Sequence, residues 1–221
     1  MKNSTETNHL RFADQPGTHQ RTALTEIVRS CAPLMTAFEQ ARALNLPDWW
    51  IVSGAIYNQV WNNLTGKPDL YGVKDIDLFY FDPDTIYAAE DRIIRKGATH
   101  FDTAIPVEIR NQARVHLWYK DHFGEDYAPL SQSTDGIYNF ACKTHAIGMR
   151  LKPDDSFDIY APFGLNDIFG FRLVPHTKRD NRATHEAKGH RQMTLWPELS
   201  FVPWPENPDA DAKGVPNDRR G

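Results

Sequence analysis

The first part of the chain alternates between helical and extended hydrophobic patterns. Apolar residues at helical spacing over 24–41 predict one long amphipathic helix that ends before Pro47. A short apolar run at 49–52, between turn-forming residues, predicts a buried strand. A second helical stripe over 56–64 ends at Gly66, a residue type favoured just past a helix end.

A second group of predicted elements follows. Residues 74–81 predict a strand with Asp75 and Asp77 on one face and mostly apolar residues on the other. A helix over 86–97, a strand at 105–109 and a hairpin of 146–151 with 157–160 come next. This order predicts an α+β fold, a mixed central sheet packed by helices, in one domain over 22–200.

The two ends of the chain lack this periodicity. Residues 1–21 predict a flexible lead-in, and residues 201–221 predict a flexible tail. No run approaches the ~18 apolar residues of a membrane span, and residues 1–20 lack the apolar middle of a signal peptide. The expected location is therefore the cytoplasm, with no membrane partner.

The composition of the chain argues against some classes of protein. The 221 residues include 29 acidic and 25 basic side chains, for a formal net charge of −4. Proteins that grip a nucleic-acid backbone usually carry a basic surplus on one face, so a nucleic-acid partner is not expected. The two cysteines are too few to form a disulfide framework.

Three carboxylates are the most informative side chains. Asp75 and Asp77 share one strand face, about 6.5 to 7 Å apart along the chain. Glu108 stands between two β-branched apolar residues, as expected for a third acid on an adjacent strand. Such crowding requires cations, and hard oxygen ligands suit Mg²⁺. The alternative is a solvated strand face, on which acidic pairs are common.

A small-residue doublet precedes the second predicted helix. Ser53 and Gly54 lie where a phosphate chain can approach backbone amides and the positive end of the helix dipole. Small residues before helices are frequent, so the doublet alone is a weak signal. Together with the acidic pair on the next strand, it predicts a site for a nucleoside triphosphate and its magnesium ions.

Polar residues after Glu108 are candidates for contacting the phosphates. If the strand continues, Gln112, Arg114 and His116 share the face of Glu108, which would place a cation near the nucleotide. The alternative is a polar helix start or a solvated edge. The basic stretch over 176–191 is interpreted as a solvated helix, with RNA or an acidic substrate as the alternative.

Several segments together resemble a known family. They are 50–56 (WIVSGAI), 74–82 (KDIDLFYFD), 107–118 (VEIRNQARVHLW), 144–151 (THAIGMRL), 161–170 (APFGLNDIFG) and 196–199 (WPEL). The chain is similar over about residues 46–175 to the nucleotidyltransferase-like family of uncharacterised bacterial proteins. That family belongs to the DNA polymerase beta-like nucleotidyltransferase superfamily.

The resemblance implies a fold in which a small-residue doublet holds the triphosphate and three carboxylates hold divalent metal. Ser53 and Gly54 match the doublet, and Asp75, Asp77 and Glu108 match the acids, with Mg²⁺ or Mn²⁺ as cofactor. The superfamily usually shows Gly-Gly or Gly-Ser at the doublet and has its acids sooner after it. Phosphate contact by the backbone is therefore a weaker expectation than metal binding.

The predicted function is transfer of a nucleoside monophosphate from a nucleoside triphosphate to an unidentified hydroxyl acceptor, with release of pyrophosphate. The acceptor is a small molecule or a protein, and Glu108 is the candidate base. Two alternatives stay open: a nucleotide-binding or regulatory module without turnover, and a metal-dependent phosphohydrolase with a water nucleophile.

Overall fold

The computed structural model describes residues 8–206, which form eight α-helices and seven strands. The helices are α1 (Gly17–Ser30), α2 (Ala32–Leu44), α3 (Gly54–Thr65), α4 (Tyr87–His100), α5 (Val115–Phe123), α6 (Ser133–Tyr138), α7 (Asn166–Phe169) and α8 (Arg182–Leu195). The strands are β1 (Trp50–Val52), β2 (Ile76–Tyr80), β3 (Val107–Asn111), β4 (Gly148–Leu151), β5 (Phe157–Tyr160), β6 (Arg172–Leu173) and β7 (Ser200–Phe201).

Five strands form the central sheet in the order β3-β2-β1-β4-β5, and β6 pairs with β7 in a small second sheet. β2 and β3 are parallel, whereas the other neighbours in the central sheet are antiparallel. Parallel and antiparallel pairs in one sheet, with helices packed against it, confirm the predicted α+β fold. The structure shows β3 two residues later than the predicted strand at 105–109.

The main core lies between one face of the central sheet and several helices. The alternating burial predicted for β2 is confirmed, because Ile76, Leu78 and Tyr80 are buried while Asp77 and Phe79 on the opposite face are less so. Trp61 of α3 is fully buried, and its indole N–H donates to the carbonyl oxygen of Ile168 at 2.9 Å. A second, smaller apolar cluster covers the opposite face of the sheet, which leaves room beside it for cavities.

The prediction of one long helix over 24–41 is wrong. The structure divides this segment into α1 and α2 at Cys31, whose backbone is extended. Pro33 in the first turn of α2 explains the break, because proline has no N–H to continue the helix and clashes with the preceding turn. The helical spacing is nevertheless correct within each half, and both helices bury one apolar face.

Parts of the two end segments predicted to be flexible, 8–21 and 201–206, contact the rest of the fold. α1 begins at Gly17, and Gln20, only 3% exposed, donates to the carbonyl oxygen of Phe12 and to Asn166 Oδ1. At the other end, β7 extends to Phe201, and Trp204 is buried. The remaining parts of both predicted segments, 1–7 and 207–221, lie outside the described residues. None of the helices within 8–206 is long and apolar enough to span a membrane.

Candidate active site

The turn from β1 into α3 forms one wall of a polar cavity of about 250 Å³. Ser53 has φ 57° and ψ −117°, a backbone conformation that glycine adopts without strain and other residues rarely do. Its N–H donates to the carbonyl oxygen of Ile147 at 2.8 Å, and its own carbonyl oxygen accepts from the amides of Ile56 and Tyr57. These bonds fix Ser53 and Gly54 at the N-terminus of α3, where backbone amides favour anions.

The cavity combines acids, cations and the doublet predicted to approach phosphate. Its lining residues are Ser53, Gly54, Tyr57, Asn58, Gly72, Val73, Lys74, Asp75, Asp77, Lys188, Arg191 and Gln192. Four of the seven residues proposed from the sequence, Ser53, Gly54, Asp75 and Asp77, thus line one cavity. A helix N-terminus, a carboxylate pair and three cations are a suitable set for a polyphosphate with its metal ions.

The third carboxylate lies on the neighbouring strand. Asp77 of β2 is paired in register with Glu108 of β3, and parallel strands lie about 4.8 Å apart, with paired residues on the same face. Burial, together with the charges of Asp75 and Glu108, raises the pKa of Asp77 to about 6, while Lys188 and Arg110 oppose the rise. Burial first, and then the neighbouring carboxylates, thus disfavour the ionised form of Asp77 more than the nearby cations favour it.

The Glu108 side chain is held by an ion pair outside the cavity. Its Oε2 lies 2.9 Å from Arg110 Nη2, and the side chains of both residues are nearly half exposed. Within 8–206, no group of three or more His, Cys, Asp or Glu side chains is arranged to hold a metal ion. An exposed pair of this kind contributes about 0–1 kcal/mol, so a modest competing interaction would release the carboxylate.

The cations of the cavity were not among the residues proposed from the sequence. Lys74 precedes β2, whereas Lys188 and Arg191 come from α8, more than a hundred residues later in the chain. Their spacing of three residues places them on one helix face. That spacing is the available signal in the basic stretch over 176–191, for which a solvated helix is the favoured interpretation and RNA or an acidic substrate the alternative.

Of the two alternatives for the residues after Glu108, the structure shows a helix start and not a strand that continues through His116. β3 ends at Asn111, whose side-chain oxygen accepts from the amide of Ala113 and caps a 3₁₀ turn over Gln112–Arg114. Arg114 turns to Glu90, with Nε 3.2 Å from its carboxylate, and does not line the cavity. Gln112 lines a different, neighbouring cavity.

Buried polar side chains support the floor of the first cavity. Gln192 donates to Tyr57 Oη at 2.8 Å and lies 2.9 Å from His145 Nε2, and the Tyr57 and His145 rings stack at 4.7 Å. Asn58, 3% exposed, has an Oδ1 without a hydrogen-bond partner among the described residues. An unsatisfied buried acceptor beside a polar cavity is consistent with a bound ligand or water.

Replacing His145 tests this network through the pH dependence of stability. Burial, with a smaller contribution from Lys188, lowers the pKa of His145 to about 3, so the folded protein resists protonating it. The stabilising contribution is complete above the unfolded-state pKa of about 6.5 and is lost as pH falls towards 3. In the wild type, the resistance of His145 to protonation should lower the free energy of unfolding by about 2 kcal/mol between pH 7 and pH 5. We expect the His145→Gln variant to lack this decrease.

Urea unfolding at the two pH values measures this difference. His190→Gln, an exposed position on α8, is the matched control and should leave the pH dependence unchanged. Equal pH dependence in wild type and His145→Gln would show that His145 titrates normally in the folded protein.

Gly54→Ala tests phosphate approach at the doublet. A Cβ at Gly54 would lie 3.6 Å from Asn58 Nδ2 and 3.8 Å from Tyr57 Oη, which are ordinary contacts on the cavity side. We expect stability to stay the same or rise by about 0.5–1 kcal/mol, because alanine favours the helix. Affinity for inorganic tripolyphosphate, measured by calorimetry, should fall about tenfold as the methyl group blocks the amides.

Gly17→Ala at the start of α1 is the control for this substitution, because its Cβ would meet no atom within 4 Å. It should leave tripolyphosphate affinity unchanged. Unaltered affinity in Gly54→Ala would contradict phosphate contact at the doublet.

Comparison with known proteins assigns the chain to a family. A family described as nucleotidyltransferase matches residues 39–201, which include both β1–α3 and all three carboxylates. The chain belongs to this nucleotidyltransferase family. The cavity of this nucleotidyltransferase, with its acidic pair and helix N-terminus, therefore lies within the matched region.

A solved structure agrees with this assignment. The nucleotidyltransferase is similar to an NMR structure described as revealing a CCA-adding enzyme head domain, with a TM-score of 0.67 and 25% identity. The similarity covers 82% of this chain and 95% of the other. The comparison with curated proteins found no matching sequence. Family and fold together support nucleotidyl transfer as the general activity.

Proposed function

We propose that this nucleotidyltransferase transfers a nucleoside monophosphate from a nucleoside triphosphate to a hydroxyl acceptor in a metal-dependent reaction that releases pyrophosphate. The observation that carries the proposal is the position of Asp75 and Asp77 in the cavity that begins at the α3 N-terminus. Lys74, Lys188 and Arg191 in the same cavity supply positive charge for the phosphates. The acidic pair thus suits the metal ions of a metal–triphosphate complex, and the cations suit its phosphates.

The chemistry of the donors fits divalent metal. Asp75, Asp77 and Glu108 would hold Mg²⁺ or Mn²⁺, because both are hard cations that prefer carboxylate oxygens. The raised pKa of Asp77 indicates that its negative charge is insufficiently compensated by the protein alone. Bound metal would supply charge neutralisation for the reacting phosphate and the acceptor oxygen.

The chain's own residues have distinct tasks in this proposal. Ser53 and Gly54 orient the triphosphate at the α3 N-terminus, and the cavity's cations hold its outer oxygens. Glu108, once released from Arg110, accepts the proton of the acceptor hydroxyl. Most of the acceleration then comes from alignment and electrostatic stabilisation rather than from covalent chemistry with the protein.

The acceptor in this proposal is a small molecule or a protein side chain, and the net charge of −4 favours neither DNA nor RNA. One observation favours the alternative of a nucleotide-binding module without turnover. Glu108 is ion-paired with Arg110, and within 8–206 no three His, Cys, Asp or Glu side chains are arranged to hold a metal ion. We propose that binding of metal and nucleotide shifts this exposed pair.

Binding of Mn²⁺, followed by electron paramagnetic resonance, tests the metal site without requiring turnover. We expect nucleoside triphosphate and Mn²⁺ to bind together to the wild-type protein. Glu108→Gln should weaken Mn²⁺ binding in that complex, whereas Glu125→Gln, an acid remote from the carboxylate pair in sequence, should not. Equal Mn²⁺ binding by wild type and an Asp75→Asn, Asp77→Asn double variant would exclude the carboxylate site.

A further inference from the structure

We propose that a second, aromatic cavity binds the base and sugar of the nucleoside triphosphate whose phosphates occupy the first cavity. The inference rests on the proposed function. The second cavity has a volume of about 250 Å³ and lies between the β2–β3 face of the sheet and helices α5, α6 and α8. Its wall contains a group of aromatic side chains, among them Phe79, Trp118, Tyr119, Phe123 and Phe140.

The two cavities adjoin along β2. Asp77 lines the first cavity and Phe79 lines the second, two residues apart on the same strand face, about 6.5–7 Å along the chain. Lys188 lines both cavities. A ligand whose phosphates reach the acidic pair can therefore continue past Lys188 into the aromatic cavity.

One face of α8 runs along both cavities. Asn181, Thr184 and His185, around the start of the helix, line the second cavity, and Lys188 is shared. Arg191 and Gln192, near its end, line the first. The spacing of three to four residues keeps all six on one helix face. The helix thus offers cations to the phosphates and uncharged polar groups to the remainder of the same molecule.

The chemistry of the second cavity suits a planar heterocycle. Phe79 and Phe140 lie nearly parallel, with centroids 5.8 Å apart and planes at 19°. Aromatic side chains of this kind stack on nucleobases, and each such contact typically contributes about 1–3 kcal/mol. Asn181 and Thr184 add hydrogen-bonding groups that can contact the edge of a base or a sugar hydroxyl.

The position of Glu108 favours the nucleoside over the acceptor as the occupant. Glu108 lines neither cavity, although its ion-pair partner Arg110 lines the second, and the Glu108 side chain is 46% exposed on β3, at the edge of the sheet. An acceptor hydroxyl that gives its proton to Glu108 must approach this open edge. The aromatic cavity is then available for the nucleoside.

Calorimetry with two probes tests the assignment. ATP, GTP, CTP and UTP, each with Mg²⁺, report base binding, and inorganic tripolyphosphate with Mg²⁺ reports phosphate binding alone. We expect at least one nucleotide to bind the wild type about tenfold more tightly than tripolyphosphate. Phe140→Ala and Trp118→Ala should each weaken that nucleotide about tenfold and leave tripolyphosphate affinity unchanged.

The use of two variants distinguishes loss of nucleotide binding from misfolding. Phe140 contacts the small apolar cluster on the sheet, whereas Trp118 is 42% exposed, so Trp118→Ala should preserve the fold. Leu117→Ala is the matched control, because Leu117 is 51% exposed on the same helix and lines neither cavity. It should affect neither probe.

Different results would contradict this inference and the proposed function. If tripolyphosphate binds as tightly as every nucleotide, or if the aromatic variants retain full nucleotide affinity, the second cavity does not hold the base. If Phe140→Ala and Trp118→Ala change only the yield of nucleotidyl product in the presence of an acceptor, and not nucleotide affinity, the cavity holds the acceptor and the proposal is overturned. If neither probe binds the wild type, the proposed function itself fails.

Discussion

Asp77→Asn is expected to reduce pyrophosphate release about 10²- to 10³-fold, the scale of loss when one preorganised charged or polar group is removed from a reacting centre. Asparagine keeps the size of the side chain but has no negative charge to hold a divalent cation. Asp77 lines the cavity together with Asp75 and is also in register with Glu108. Its replacement therefore removes the carboxylate that neighbours both of the others. Initial rates under saturating Mg²⁺ and nucleotide measure the loss.

The same substitution should stabilise the protein without ligands. Burial and neighbouring negative charges raise the pKa of Asp77 to about 6, so its ionised form is unfavourable in the folded state above that pH. Relief of roughly 1 kcal/mol would raise the melting temperature by about 2–4 °C in EDTA at pH 8. Higher stability with lower activity distinguishes loss of function from unfolding.

Asp82→Asn provides the matched control. Asp82 follows β2, and its carboxylate oxygen accepts from the amide of Asp84, a bond that asparagine can also make. This variant should keep wild-type turnover and stability. Full turnover in Asp77→Asn would contradict the role of the acidic pair in the reaction.

Removing both cavity cations of α8 should weaken nucleotide binding about 30-fold. Lys188 and Arg191 line the same cavity as Asp75 and Asp77, and a buried hydrogen bond to a charged group contributes about 1.5–3 kcal/mol. Both residues are exposed, so solvent screening reduces the contribution of each to about 1 kcal/mol. The dissociation constant of nucleotide with Mg²⁺ should therefore rise in a Lys188→Ala, Arg191→Ala double variant.

The salt dependence of nucleotide binding shows whether Lys188 and Arg191 act through their charge or through their shape. The double variant should lose much of the decrease in affinity that added salt causes in the wild type, because fewer charges contact the phosphates. Arg182→Ala on the same helix is the control, since Arg182 pairs with Glu186 and does not line the cavity. Equal affinity and salt dependence in the double variant and wild type would place the phosphates elsewhere.

The strand that carries the acidic pair could be predicted from the sequence. Alternating polar and apolar residues over 74–81 place Asp77 opposite the core, and the structure confirms that alternation. The doublet was also placed correctly before a helix, and the structure adds the reason for its geometry. Ser53 adopts a conformation favoured by glycine, the residue type the superfamily usually has there.

Other features depend on contacts that local patterns do not contain. The register between Asp77 and Glu108 joins strands about thirty residues apart, and Lys188 reaches the cavity only because α8 packs back across it. Arg114 was misplaced because the cap formed by Asn111 ends β3 before the alternation reaches it. Pro33 was a visible break signal, but the apolar spacing continued across it.

One measurement tests the central claim most directly. Wild-type protein is incubated with α-labelled nucleoside triphosphates, Mg²⁺ and a cell extract as acceptor pool, and both pyrophosphate and labelled product are quantified. We predict pyrophosphate and a nucleotidyl adduct in equal amounts, the adduct detected as a mass shift, and both reduced about 10²- to 10³-fold with Asp77→Asn. Tight nucleotide binding without pyrophosphate, or release of orthophosphate without an adduct, would contradict the claim.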